Sequence, residues 1–447
     1  MSLKEYYEKN RTEILNDYFD LLRFKSISTD KQYKAQTRSC ADWLVNYLKN
    51  IGMSVELWET SGHPVVFGED LKAGPDRPTV LIYNHYDVQP VDPLELWHSD
   101  PFEPILKDGH VYARGAVDNK GQCAYTIAAL KAVLQKLNIN VKIFIEGEEE
   151  SGGKGTFEIL ETKKKKLKAD YLLIVDFGLP APDTPAITLG TRGLLALELV
   201  CKNSSIDLHS GVHGGIALNP NRALACAIAK LWDDEGRVAV PGFYDDVSTL
   251  KECNELYDHF DVADYTKKFG VKAFCPEKGY SLLESNWTRP TLEINGMSGG
   301  YTGDGFKTVI PFEARAKISC RLVPNQDPGK IVKQIRDFLK TAFPKGIEMD
   351  LIELQGTSAY RSSFDTPLVK TVAKAFEEVF NKKCKYMLCG ASVPIVPSLA
   401  LASGAQTALI GCGLDDDNIH APNERFGLDR FEQGFLTLGT ILQCLST

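Results

Sequence analysis

Three short, largely apolar runs in the first half of the chain constrain its fold more than any other feature. They are residues 79–83 (TVLIY), 141–145 (VKIFI) and 171–175 (YLLIV). Runs of this kind are typical of strands that are buried on both faces of a parallel sheet. Residues 121–134 and 155–161, which lie between the runs, favour helices. We therefore predict an α/β fold, with a mixed, mostly parallel sheet and helices on both of its faces.

The pattern of the sequence changes near residue 191. Residues 194–200 and 314–322 suggest half-exposed strands, and the alternation of apolar and polar side chains is clearer in the second run. Together with nearby helical stretches, these strands fit an antiparallel sheet that carries helices on one face. A polar stretch ends this region, and a long amphipathic helix then resumes the first pattern. We predict one domain from residues 1–190 and 361–447, with residues 191–360 inserted as an α+β domain.

Charge and composition argue against several classes of function. The net charge of −8 and the pI of about 5.6 argue against binding to nucleic acids or membrane surfaces, which attract basic patches. Residues 386–414 carry no charge, but prolines and glycines divide them into short pieces, so we expect no membrane span. Eleven cysteines without a C-x-x-C pair, and an N-terminus without a secretory signal, lead us to expect a cytoplasmic protein.

Ionisable side chains follow each of the three predicted strands. His85 and Asp87 follow the first strand, four glutamates between Glu146 and Glu150 follow the second, and Asp176 follows the third. In open α/β sheets, ligands bind beyond the C-terminal ends of the strands. Charges buried there are costly unless a partner compensates them, and metal ions are common partners. For each motif alone, an exposed acidic turn or a surface histidine beside an acid remains an alternative.

His85 and Asp87 are two positions apart, so on an extended segment the carboxylate can orient a metal-bound imidazole. Two further residues, Asp118 and His420, are candidates for the same centre. Asp118 precedes a predicted helix, where it could equally be an N-terminal cap. His420 is a single loop histidine, which carries little information by itself.

A motif of serine hydrolases is also present. Residues 296–300 read GMSGG and match G-x-S-x-G, and the acids at 415–417 and His420 follow in the order of the α/β-hydrolases. That motif requires a helix directly after the serine. Here GYTGDG follows Gly299 and cannot start a stable helix. We therefore do not assign Ser298 as a nucleophile.

Six motifs, taken in order, resemble the co-catalytic zinc peptidases, a family that includes carnosine dipeptidase, cytosolic nonspecific dipeptidase, acetylornithine deacetylase and succinyl-diaminopimelate desuccinylase. The motifs are HYDVQP (85–90), RGAVDNKG (114–121), EGEEESGG (146–153), DLHSGVHGG (207–215), RLVPNQDP (321–328) and HAPNE (420–424). They span nearly the whole chain, and their combination is far more specific than any single motif. The resemblance implies a catalytic domain of the zinc-exopeptidase type with an inserted lid and dimerisation domain.

The resemblance also implies a set of metal ligands. Two divalent ions would bind per subunit, with zinc expected, although manganese and cobalt suit the same nitrogen and oxygen ligands. One ion would be held by His85 and Asp176, and the other by Glu150 and His420. Asp118 would bridge both ions, and the peptide bond that follows it is expected to be cis.

Catalytic and substrate-binding roles follow from the same resemblance. Asp87 would orient His85, and Glu149 would be the general base, with a register error toward Glu148 as the open alternative. His209 would reach the active site of a partner subunit across a dimer interface and stabilise the oxyanion there. The C-terminal carboxylate of the substrate would be bound by Thr308, Arg321 and Ser392.

The function expected from these residues is hydrolysis of the amide bond of dipeptides or short peptides by metal-activated water, in a homodimer. An N-acyl-amino-acid deacylase with the same site is the main alternative, and a catalytically silent scaffold is a third. Asp176 favours the dipeptidase, because the resemblance associates aspartate at this position with dipeptidases and aminopeptidases. No histidine lies near residues 359–360, and FGLP after Asp176 departs from the carnosine-type members, so the substrate side chains stay open.

Overall fold

The computed structural model describes residues 1–248 and 260–446, and the chain divides into two compact units. The first unit is Met1–Leu189 with Ser362–Met387 and Val393–Thr447. The second is Gly190–Arg361 with the short segment Leu388–Ser392, which the sequence pattern had assigned to the other domain.

The chain alternates between helices and strands along most of its length. Up to the first boundary the elements are α1 (Leu3–Arg23), α2 (Lys34–Asn50), β1 (Ser54–Trp58), β2 (Val65–Asp70), β3 (Thr79–His85), β4 (Ile105–Lys107), β5 (His110–Tyr112), α3 (Lys120–Val133), β6 (Asn140–Glu146), α4 (Lys154–Thr162), α5 (Lys164–Leu167), β7 (Tyr171–Val175) and β8 (Ala186–Thr191). Next come β9 (Gly193–Lys202), β10 (Leu208–His209), α6 (Ser210–His213), α7 (Pro220–Ala229), α8 (Val262–Phe269), α9 (Leu282–Trp287), β11 (Thr291–Ser298), β12 (Val309–Ile310), β13 (Glu313–Leu322), α10 (Pro328–Ala342), β14 (Glu348–Thr357) and β15 (Tyr360–Arg361). The last are α11 (Pro367–Phe380), β16 (Lys385–Cys389), α12 (Ile395–Ser403), β17 (Gln406–Ile410), β18 (Arg425–Gly427) and α13 (Leu428–Leu445).

The first unit is built around a mixed sheet with the strand order β1-β2-β6-β3-β7-β17-β8. Its central strands β6, β3, β7 and β17 are mutually parallel, and antiparallel neighbours flank them. The three apolar runs of the sequence are β3, β6 and β7, and all seven residues of β6 are buried. The predicted α/β class with a mostly parallel sheet is therefore confirmed.

Helices pack around this sheet in two groups. α3 lies against both α1 and α13, and α11 packs on α13. α4 and α5 contact α12 in a second group. The α3–α13 contact is close: a Cβ added to Gly434 would lie 2.6 Å from the ring of Tyr125, so this position requires glycine.

The second unit contains a four-stranded antiparallel sheet with the order β11-β13-β9-β14. Buried and more exposed residues largely alternate along β13, as expected when one face of a sheet is covered. α7 contacts β9 and β13, α10 contacts β9 and β14, and the two helices also contact each other. A separate pair of short strands, β10 and β12, carries His209 opposite Val309.

Among the helices that the structure describes, none combines the length and the apolar character needed to cross a membrane. The uncharged residues 386–414 instead form most of β16, then α12 and β17.

Candidate metal centre

The centre lies where three neighbouring parallel strands end. β3 ends at His85, β6 ends at Glu146, and β7 ends immediately before Asp176. His85 is opposite Glu146 in the β3–β6 register, so the two strands finish at the same level. The C-terminal ends of parallel strands thus place these side chains at one edge of the sheet, as the sequence predicted.

Asp118 lies between two histidines that come from distant parts of the chain. Its Oδ1 is 3.1 Å from His85 Nε2, and its Oδ2 is 3.0 Å from His420 Nε2. On the His85 side, Asp176 Oδ1 is 3.6 Å from His85 Nε2. On the other side, Glu150 Oε2 is 3.3 Å from His420 Nε2. The five side chains therefore form two groups that could each hold a metal ion and that share one carboxylate, and the candidate ligand atoms within each group lie within 4.8 Å of one another.

Asp87 connects the end of β3 to the glutamate turn. This aspartate is fully buried, and its two carboxylate oxygens accept the backbone N–H groups of Glu149 at 3.2 Å and Glu150 at 3.0 Å. His85 Nδ1 lies 3.4 Å from Asp87 Oδ1 and 3.1 Å from the Asp87 carbonyl oxygen. Asp87 thus fixes both the orientation of His85 and the position of the two glutamates.

The glutamates of the cluster point in different directions. Glu148 accepts a hydrogen bond from Thr60, and a Cβ added to Gly62 would lie 1.8 Å from the Glu148 carboxylate. Glu148 therefore packs against the segment that contains Thr60 and Gly62. Glu146 accepts a hydrogen bond of 2.6 Å from the Tyr83 hydroxyl. Glu149, in contrast, lies with Glu150 and His85 in a group whose ligand atoms are all within 4.8 Å.

Asn119 holds Asp176 in place. Asn119 Nδ2 donates to Asp176 Oδ1 at 2.6 Å, and Asn119 Oδ1 accepts from Asn84 at 2.8 Å. The Asp118–Asn119 peptide bond is cis, as the family resemblance implied. Gln89 Nε2 donates to Glu150 Oε2 at 2.7 Å. Neither Asn119 nor Gln89 had a role predicted from the sequence, although both lie inside its motifs.

Glu424 also lies in one of the motifs without a role predicted from the sequence. Its Oε2 accepts from Arg114 Nη1 and from the backbone N–H of Gly115, both at 2.8 Å. Its Oε1 accepts the backbone N–H groups of Val117 at 2.9 Å and Asp118 at 3.1 Å. One buried carboxylate therefore joins the loop that carries His420 to the loop that carries Asp118.

The electrostatics of the centre indicate an excess of negative charge. Burial, and then the charge of Asp118, raises the pKa of Glu150 to about 7. Burial likewise raises the pKa of Asp176 and takes that of Glu149 well above its ordinary value. Hydrogen bonds to Asp118 and Glu150 raise the pKa of His420 to about 11. Without added cations, Glu150, Asp176 and Glu149 are thus harder to ionise than acids in water, whereas hydrogen bonds to His420 and His85 lower the pKa of Asp118.

The side chains present fit divalent cations. Glu150 Oε1 is buried and has no hydrogen-bond partner among the residues that the structure describes. Carboxylate oxygens and histidine nitrogens are the ligands that zinc, manganese and cobalt accept in proteins. Positive ions would satisfy the unpartnered oxygen and compensate the crowded carboxylates.

The other candidate residues of the sequence lie in the second unit, as two pairs. Arg321 Nη1 donates to Ser392 Oγ at 2.9 Å. His209 is exposed, and its Nε2 lies 3.5 Å from Thr308 Oγ1. Ser298 ends β11 and no helix follows it directly, which agrees with its exclusion as a nucleophile.

Comparisons with known proteins agree with the motifs. The model of peptidase family M20/M25/M40 matches residues 81–443. The human Beta-Ala-His dipeptidase is 32% identical over 384 residues, covering 83% of this chain and 75% of that protein. The Cys-Gly metallodipeptidase dug1 of Schizosaccharomyces pombe is 28% identical and covers 100% of this chain and 99% of its own.

Solved structures of a metallo-carboxypeptidase and a dipeptidase are also similar to this chain. The M20 family metallo-carboxypeptidase Sso-CP2 from Sulfolobus solfataricus has a TM-score of 0.89 and 34% identity, covering 97% of this chain and 99% of that one. Human carnosine dipeptidase 1 has a TM-score of 0.85 and 28% identity, covering 99% and 98%. The resemblance read from the motifs is confirmed, and the chain belongs to peptidase family M20/M25/M40.

Proposed function

We propose that this chain hydrolyses the peptide bond of unmodified dipeptides, using two divalent metal ions, zinc in the cell. The observation that carries the proposal is the position of Asp118, with one oxygen toward His85 and the other toward His420. A carboxylate shared in this way is what two neighbouring ions require. The similar proteins named as Beta-Ala-His dipeptidase and Cys-Gly metallodipeptidase support dipeptides as the substrate class.

The ligand assignment follows the two groups around Asp118. His85 and Asp176 would hold one ion, Glu150 and His420 would hold the other, and Asp118 would contact both. When bound, such ions lower the pKa of a water molecule toward neutrality and polarise the scissile carbonyl.

Glu149 is the general base in this proposal. Its pKa is raised well above the ordinary value by burial, and it lies beside the ligand atoms of His85 and Glu150. A carboxylate in this position takes a proton from the attacking water and returns it to the leaving nitrogen. Glu148, which packs against Thr60, does not have the same access.

The two ends of the substrate would be recognised by opposite charges. Asp176 is short, which leaves room beside it for the free amino group of a dipeptide, whose cationic form the carboxylates favour. Arg321, with Ser392 and Thr308, would bind the C-terminal carboxylate.

A homodimer completes the proposal, with His209 supplied to the active site of the partner copy. β11 is an outer strand of its sheet, and apolar side chains on it and directly after it are exposed, including Met297, Tyr301 and Phe306. Outer strands and exposed apolar side chains are common at interfaces between copies of a chain. We also place the protein in the cytoplasm, where its eleven cysteines would stay reduced.

The test compares kcat/KM for a panel of dipeptides with that for the matching N-acetylated dipeptides and N-acyl amino acids. We expect the unmodified dipeptides to be cleaved faster, and a chelator to abolish cleavage until zinc, manganese or cobalt is restored. A clear preference for the N-acyl amino acids would identify a deacylase instead. Hydrolysis that survives chelation would contradict the metal-dependent proposal altogether.

A further inference from the structure

Arg192 is a buried cation of the second unit, and the side-chain hydrogen bonds that the structure describes for it go to uncharged oxygens. It lies between β8 and β9 and is 6% exposed. Its Nε donates to the carbonyl of Gly390 at 2.8 Å, and its Nη1 reaches the carbonyl of Arg289 at 3.4 Å and Thr291 Oγ1 at 3.3 Å. Within residues 1–248 and 260–446, no carboxylate lies within 4.0 Å of it. An arginine buried without a counter-ion is costly, so its retention needs a reason.

A second guanidinium lies in the same part of this unit. Arg321 on β13 is the register partner of Thr291 on β11, the residue that Arg192 contacts. Burial, and secondly the positive charge of Arg321, lowers the pKa of Arg192 to about 10. Arg321 is half-buried, and in the described part of the chain it also has no carboxylate within 4.0 Å. Two like charges therefore lie in a partly buried part of this unit, and the charge of Glu293, which among the described residues is more than 4.0 Å from Arg192, opposes the lowering of the Arg192 pKa without outweighing it.

Ser392 connects the two arginines. Its hydroxyl accepts a hydrogen bond from Arg321 Nη1 at 2.9 Å and donates one to the Arg192 carbonyl oxygen at 2.5 Å. The backbone N–H of Arg192 donates to the carbonyl of Ala391 at 3.1 Å. Arg192 thus holds the segment Leu388–Ser392 through both its backbone and its side chain.

We propose that Arg192 is a positioning residue that makes this site specific for an anionic group, which is the C-terminal carboxylate of the substrate if the proposed function is correct. It keeps Ser392 and Arg321 in place, and it adds a positive charge that a carboxylate compensates and a neutral amide does not. The ligand class follows from the lack of a directly paired acid among the described residues: an anion bound here reduces the repulsion between the two guanidinium groups.

The first experiment measures binding without turnover. Protein treated with a chelator is titrated with hippurate and with hippuramide, which differ only in the carboxylate. The wild-type protein should prefer hippurate by at least about tenfold, the size expected for a charged hydrogen-bonded contact. Arg192→Met should remove most of this preference, and Arg192→Lys, which keeps the charge, should retain part of it. Arg336→Met, on an exposed face of α10, is the matched control and should keep the wild-type ratio.

A wild-type protein that binds both compounds equally, or a folded Arg192→Met protein with the wild-type ratio, would overturn the proposal. If Arg192→Met does not fold, Arg192→Lys and Thr291→Val test the proposal in its place. Each of them disturbs the contacts of the guanidinium while leaving most of the side-chain volume in place. Both variants should weaken the binding of hippurate more than the binding of hippuramide. An unchanged hippurate affinity in both variants would overturn the proposal.

The second experiment uses turnover of the metal-loaded protein. Arg192→Lys should raise KM for dipeptides with a free carboxylate more than it lowers kcat, and it should change kcat/KM for the corresponding dipeptide amides little. An equal loss for acids and amides would show general structural damage and would contradict the proposal. The binding result stands apart from hydrolysis: if no dipeptide is cleaved but the carboxylate preference depends on Arg192, only the proposed function fails.

Discussion

Replacing Glu424 by glutamine tests whether one buried carboxylate organises the metal centre. The Glu424–Arg114 ion pair has a separation of 2.8 Å, and both side chains are 1% exposed. The substitution leaves the charge of Arg114 buried without a counter-ion, a change that typically costs about 3–5 kcal/mol of unfolding free energy. The amide also offers one acceptor oxygen where the carboxylate offers two, so the N–H groups of Gly115, Val117 and Asp118 cannot all keep their bonds.

Two measurements separate the effect of Glu424→Gln on the fold from its effect on the centre. Denaturant unfolding of the chelated protein gives the loss of stability, and calorimetric titration with zinc gives the loss of metal affinity. Asp417→Asn is the matched control, because it weakens the buried Asp417–Arg430 pair of the same loop, and the hydrogen bond to the Asp118 N–H that the structure describes comes from Glu424 and not from Asp417. Both variants should lose stability, whereas Glu424→Gln should lose clearly more zinc affinity.

Arg114 offers a further check on the cause of the loss. Since the cost comes from an uncompensated charge, adding Arg114→Met to Glu424→Gln should recover part of the lost stability. A loss of less than about 1 kcal/mol in Glu424→Gln, well below the range for a broken buried pair, would refute the proposed cost of the buried charge. An unchanged zinc affinity would refute the link between this loop and Asp118.

Three other predictions concern the chemistry of the site. Glu149→Gln should retain zinc, but its kcat should fall by about 100-fold or more, as expected when a general base is lost. Glu148→Gln should keep a kcat close to that of the wild type. The reverse pattern would show that Glu148 is the general base. Zinc binding requires a neutral His420 and an ionised Glu150, whose pKa values in the metal-free site are raised to about 11 and about 7. Zinc affinity should therefore fall as the pH drops below about 11, and more steeply below about 7. Calorimetry should show proton release, and a pH-independent affinity would contradict this protonation. Mixing His209→Ala with Glu149→Gln protein should restore part of the activity through mixed dimers, and no recovery despite proven subunit exchange would place His209 in its own active site or outside catalysis.

Much of the centre was predictable because parallel strands bring their ends to one edge of a sheet. His85 and Asp176 directly end or follow buried strands, so their meeting required only that β3 and β7 be neighbours. The approach of Asp118 to His420 could not be predicted from spacing, since 302 residues separate them and tertiary packing alone brings them together. Only the family resemblance supplied that pair.

Other features had no usable signal in the sequence. Glu424 lies in a sequence motif, but its four hydrogen bonds depend on loop conformations that no periodicity reveals. The segment Leu388–Ser392 reads as part of an uncharged stretch of the first domain, yet it belongs to the second unit. Backbone and side-chain bonds to Arg192 hold it there, and such contacts are set by the fold rather than by local propensity.

The most direct test of the central claim is a crystal structure of the zinc-loaded protein with anomalous data collected at the zinc edge. Two peaks are expected, about 3.5–4 Å apart, the distance usual for paired catalytic ions. One should lie beside His85 and Asp176, the other beside Glu150 and His420, and each should contact a different oxygen of Asp118. A single peak, or two peaks of which one does not contact Asp118, would contradict the account of a centre bridged by this carboxylate.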